Sequence, residues 1–96
     1  MSLEREESIR RFRVLEIVDL TMKVNSIEGT DAPKAFTRLF GHTDEIDVCV
    51  YESGWKVGEN PTWRRIVYLD QPGEMEKLEE IADYLIKTLS LKEKNS

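Results

Sequence analysis

Residues 45–70 read EIDVCVYESGWKVGENPTWRRIVYLD, two strand-like runs on either side of a loop that carries Trp55, Lys56, Gly58 and Pro61. In the first run Ile46, Val48 and Val50 alternate with Asp47, Cys49 and Tyr51, which is the two-residue period of a half-buried strand. In the second run Trp63, Val67 and Leu69 share one phase and Arg64, Ile66 and Tyr68 share the other, so neither face is plainly polar. The connection from Ser53 to Thr62 is longer than the roughly two to five residues of an ordinary hairpin loop, and long loops tend to be functional or mobile.

Working outward, the segment after the hairpin gives the clearest helical pattern. Pro72 and Gly73 open a run in which Met75, Leu78, Ala82, Leu85 and Leu89 repeat at helical spacing, with Ile81 and Ile86 beside them. Glu74, Glu76, Glu79 and Glu80 crowd its start and Lys87, Lys92 and Lys94 its end, as the helix dipole favours. Residues 92–96 are expected to fray.

On the other side of the hairpin, residues 12–27 interleave Val14, Leu15, Ile17, Val18, Leu20, Met22 and Val24 with Arg13, Glu16, Asp19, Thr21 and Lys23. Read at period two, Leu15 and Ile17 share one phase and Val18, Leu20, Met22 and Val24 the other. Side chains alternate strictly along a strand, so the change of phase near Val18 predicts a strand with a β-bulge. Gly29 breaks it. Thr30 or Asp31 can then cap a short helix over Ala32 to Phe40, with Pro33 in the first turn and Gly41 as its stop. Ala32, Ala35, Phe36, Leu39 and Phe40 gather on one side of such a helix, which places Phe36 and Phe40 in the core. Residues 1–11 are strongly charged, with Leu3 and Ile9 as apolar anchors, and support a short helix or a flexible arm.

The expected architecture is α+β in the order (α)-β-α-β-β-α, a three-stranded, mainly antiparallel sheet with the long C-terminal amphipathic helix packed on one face. The 96 residues fit a single domain, 1–96. A chain of this size buries roughly 60–68% of its unfolded surface, which implies one modest core. One long and one short helix cover one face of such a sheet. The other face carries Cys49, Tyr51, Ile66 and Tyr68, with Leu15 and Ile17 as further candidates, and that face is too apolar to be left wet.

Composition narrows the functional classes. Nineteen acidic against 14 basic residues give a formal charge of −5, which disfavours a protein that wraps a polyanion with its whole surface. Charged residues make up 34% of the chain against a single Gln and three Asn, a thermophile-like balance. Cys49 is the only cysteine, so no intrachain disulfide and no multi-Cys metal site can form. With no apolar run of membrane-spanning length and no signal-peptide core in residues 1–13, the expected location is cytoplasmic, without membrane attachment.

Candidate chemistry is thin. His42 lies near Asp44, Glu45 and Asp47, but the spacing matches no defined ligand set and reads as a solvated loop. Cys49 sits mid-strand, where a thiol behaves as a small hydrophobe. Phosphate-loop, HExxH, GxSxG and dinucleotide motifs do not occur, and no cofactor is implied. Trp55, Lys56, Trp63, Arg64 and Arg65 combine aromatic rings with cations, the ingredients of single-strand nucleic-acid binding and equally of protein–protein hot spots. The leading expectation is a non-enzymatic protein–protein interaction module or accessory subunit. It dimerises or joins a partner through Cys49, Tyr51, Ile66 and Tyr68 or through a strand edge. The competing expectation is a single-stranded nucleic-acid binder built on the Trp/Arg set.

Overall fold

The computed structural model describes the backbone of residues 2–94 and the side chains of residues 5–91. Its elements run α1 (Ser2–Asn25), β1 (Lys34–Phe40), β2 (Glu45–Tyr51), β3 (Trp63–Tyr68) and α2 (Glu74–Lys94). The strands form one antiparallel sheet in the order β1-β2-β3. Both helices pack on the same side of it, in contact with each other, α1 over β1 and α2 over β3.

The fold class is therefore α+β with a three-stranded antiparallel sheet, as expected, but two elements exchange identity. Of residues 12–27, expected as a bulged strand, 12–25 belong to α1, and of residues 1–11, expected as a short helix or arm, 2–11 form its first part. The physical reason lies in α1 itself. Ile17, Leu20, Thr21 and Val24 are buried, with Val14 packed against them, at helical spacing. Phe12, Leu15 and Met22 lie exposed on the opposite side. Two apolar stripes back to back on one helix mimic the period of a strand.

The second exchange follows from the first. Residues 34–40, expected within a helix, form the edge strand β1, because α1 leaves the sheet needing a third strand. Ala35 is buried on the helix side, where the hydroxyl of Thr37 also lies 2.6 Å from that of Thr21. Phe36 and Phe40, expected in the core, are each 42% exposed on the other side. The expected frayed tail lies partly outside the described residues: α2 continues through Lys94, and 95–96 are not among them.

Hairpin and C-terminal helix stand as expected. Ile46, Val48, Val50 and Val67 face Leu78, Ile81, Ala82 and Leu85 of α2 and the buried stripe of α1, and together they make the core. The β2–β3 loop is closed at its root by Thr62 N–H donating to the Val50 carbonyl at 2.8 Å, with the Glu52 N–H bonded to Thr62 Oγ1. Gly54 takes φ +93°, and a Cβ there would stand 3.4 Å from the Ala32 carbonyl, so the loop rests against the link between α1 and β1.

An edge strand offers its unpaired backbone groups to other chains. At β1 the side chain of Asn25, the last residue of α1, blocks part of that edge. Its Nδ2 donates to the Ala35 carbonyl at 2.9 Å and its Oδ1 accepts from the Ala35 N–H at 2.8 Å, as a neighbouring strand would. Asn25→Ala is expected to cost about 1–2 kcal/mol for the two lost bonds. Urea denaturation measures that loss, and light scattering at high concentration is expected to show more self-association than in the wild type.

Candidate interaction face

The helix-free side of the sheet is set by strand alternation. Phe36, Arg38 and Phe40 of β1, Glu45, Asp47, Cys49 and Tyr51 of β2, and Arg64, Ile66 and Tyr68 of β3 share it. Pairing arranges them in rows: Phe36–Cys49–Arg64, Arg38–Asp47–Ile66 and Phe40–Glu45–Tyr68.

Asp47 is the centre. It is only 3% exposed although it lies on the open face, because two guanidinium groups lie over it. Arg64 donates twice, Nε to Oδ1 at 3.0 Å and Nη2 to Oδ2 at 2.8 Å. Arg38 donates Nη2 to Oδ2 at 3.1 Å. Fork-to-carboxylate pairing of this kind is the strong form of an ion pair. The Arg64 hydrogen bonds, helped by the charges of Arg64 and Arg38, hold the Asp47 carboxyl below its usual range against the opposing effect of burial. Within the cluster one carboxylate meets two guanidiniums, with Glu45 as the second carboxylate of the same face, and both arginine side chains remain about half exposed.

Apolar and aromatic groups ring this cluster. Phe36 and Tyr51 meet edge to face at 5.7 Å between centroids, and Phe36, Arg38, Cys49, Tyr51 and Trp55 line a shallow depression of about 240 Å³. Phe40, Ile66 and Tyr68 stand partly exposed on the far side. Cys49 is buried beneath the ring, and that burial, with the Asp47 charge, pushes its thiol up and away from the reactive thiolate.

Of the residues expected at a partner interface, Tyr51, Ile66 and Tyr68 lie at this face within reach of a ligand, and Cys49 forms its floor. The Trp/Arg set divides. Trp55 borders the face, with Lys56 beside it across a cleft shared with Lys34 and Phe36, and Arg64 lies at the centre. Trp63 instead stacks on Tyr84 of α2, centroids 4.2 Å apart and planes 5° from parallel, and the Arg65 guanidinium lies 4.9 Å from the Trp63 centroid with Nε bonded to Glu80 at 3.0 Å. Those two fasten the hairpin to α2. The Tyr84 hydroxyl bonds Glu52, and its pKa is raised, first by desolvation and then by that bond.

Sequence reasoning missed Phe36, Arg38 and Phe40 as members of the face; it placed Asp47 in the phase of Cys49 and Tyr51 but not its pairing with Arg38 and Arg64. The alternation of Phe36, Arg38 and Phe40 was the available signal, hidden by the helix-like spacing of the same stretch. His42 is exposed in the turn between β1 and β2. Among the described residues no group of three or more His, Cys, Asp and Glu could hold a metal ion, and no helix is long and apolar enough to cross a membrane. Comparison with protein-family models, with curated proteins and with solved structures finds no match to the chain.

Proposed function

We propose that this chain is a small non-enzymatic interaction module that takes a partner protein segment on its open sheet face. The observation that carries the reading is the Arg38–Asp47–Arg64 cluster set among half-exposed aromatic side chains. Arginine, tyrosine and tryptophan in a partly desolvated patch are the usual composition of a binding hot spot. The half-exposed guanidinium groups define the partner's chemistry: a carboxylate flanked by apolar side chains, the carboxylate seated on their free donors. Cys49, buried in mid-strand, and His42, on the turn, are separated in the fold, which supports a binding role over nucleophilic catalysis. A buried unpaired thiol suits the reducing cytoplasm.

A second reading, single-stranded nucleic acid, is favoured by one end of the same face, where Lys34, Phe36, Trp55 and Lys56 share a cleft. It retains Trp55, Lys56 and Arg64 and gives up Trp63 and Arg65.

One experiment separates them. A displayed peptide library panned on the protein is expected to enrich segments with Asp or Glu between apolar residues. Ile66→Glu and Tyr68→Glu are each expected to weaken the selected peptides at least about tenfold, with the melting temperature little changed. No enrichment, together with salt-sensitive binding of single-stranded RNA or DNA, would move the assignment to nucleic acid.

A further inference from the structure

We infer that α1 pairs with α1 of a second copy of this chain, antiparallel and crossing at Leu15. This surface is distinct from the open sheet face, so the two readings stand or fall separately. The buried side of α1 is fully used by Ile17, Leu20, Thr21 and Val24. On the opposite side Phe12 is 67% exposed, Leu15 60% and Met22 68%, with half-buried Val18 adjoining. At about 100° per residue these four fall within an arc of about 120°. Three large apolar side chains this exposed, in one stripe along an otherwise charged helix, mark a contact surface.

The charges on the same stripe decide the occupant. In an antiparallel pair whose two-fold axis passes through Leu15, each residue n places before Leu15 faces the residue n places after it on the second copy. Arg11 then faces Asp19 of the second copy, and by symmetry Asp19 faces Arg11, while Phe12 covers Val18 twice. A parallel pair would set Arg11 against Arg11 and Asp19 against Asp19. Shifting the antiparallel crossing by two residues, to residue 17, would set Leu15 against Asp19. Of these three arrangements, the crossing at Leu15 sets Phe12 against Val18 and Arg11 against Asp19, with Met22 opposite the small Ser8, the self-complementarity that a two-fold interface requires. Asp19 is already bonded to Lys23 in its own helix at 3.1 Å, but that pair is well exposed and easily shared.

Sedimentation equilibrium on the full chain tests this. The wild type is expected to be dimeric and Leu15→Arg monomeric with an unchanged far-ultraviolet spectrum, since Leu15 contributes nothing to the core. Arg11→Glu and Asp19→Arg, each alone, are expected to raise the dimer Kd by roughly tenfold or more. Together they are expected to restore it, and Leu15→Cys is expected to cross-link as a symmetric dimer on oxidation. A monomer at all concentrations up to about 1 mM would overturn the inference. So would a dimer that ignores Leu15→Arg, or single charge reversals that the double reversal does not rescue. A dimer dissolved by Ile66→Glu and not by Leu15→Arg would assign the pairing to the sheet face, overturning this inference while leaving that face a binding surface.

Discussion

Ile17→Asp is expected to leave the chain unfolded under conditions where Leu15→Asp leaves it folded. Two residues apart, these positions would lie on the same face of a strand and respond alike. In α1 they lie on opposite sides: Ile17 is fully buried among Leu20, Val24, Ile46 and the apolar residues of α2, whereas Leu15 is 60% exposed. Replacing Ile17 removes about 2–3 kcal/mol of apolar burial and forces a carboxylate into a site without a partner. The combined loss is at least about 4 kcal/mol, close to the whole stability of a domain that folds with roughly 5–15 kcal/mol. Leu15→Asp is expected to change folding by less than about 1 kcal/mol, mostly through helix propensity. Urea denaturation followed by circular dichroism, at a concentration low enough to keep the chain monomeric, measures both. Equal losses at the two sites would contradict the helical assignment of this segment.

The same pair of residues shows where the fold was legible in the sequence and where it was not. β2, β3 and α2 each carry one dominant period, so Val48 and Val50 could be placed toward the helices and Leu78, Ile81 and Leu85 toward the sheet from spacing alone. α1 carries two stripes, one toward the core and one on the opposite side, and their superposition cancels the helical signal. Its amphipathic contrast belongs to the assembled fold and not to the segment. Between Pro33 and Gly41 the ambiguity runs the other way. Ala35, Phe36, Leu39 and Phe40 fall on one side of an imagined helix, yet Pro33 precedes a strand and Gly41 opens the turn to β2. Strand count survived because a strand read as a helix replaced a helix read as a strand. The site was half legible for a related reason. Tyr51, Ile66 and Tyr68 follow from alternation within single strands. The approach of Arg38 and Arg64 to Asp47 depends on the pairing of three strands, which no single segment specifies.

That cross-strand cluster is where the second large effect is expected. Asp47→Ala removes the acceptor of three hydrogen bonds and leaves two guanidinium groups facing each other across the sheet. Losing the carboxylate of a buried pair costs about 3–5 kcal/mol, but both arginines are about half in solvent and can rehydrate, so the expected loss is nearer about 2 kcal/mol. The partners should rank below it in a definite order. Arg64→Ala loses the two-pronged contact and Arg38→Ala a single bond, so the destabilisation runs Asp47, then Arg64, then Arg38, by chemical denaturation at neutral pH. Asp47→Asn keeps the shape but turns an amide N–H₂ toward a guanidinium, and it recovers only part of the loss. Acid supplies an independent check. The folded carboxyl titrates below its unfolded value, chiefly through the Arg64 hydrogen bonds. Its stabilisation is therefore fully present above the unfolded pKa and is lost as pH falls through the folded one. The stability difference between wild type and Asp47→Asn should stay constant from neutral pH to about pH 5 and shrink progressively toward about pH 2. A difference that held constant to the lowest pH would mean that Asp47 contributes packing alone, and the two arginines would then be free to bind a partner's carboxylate without it.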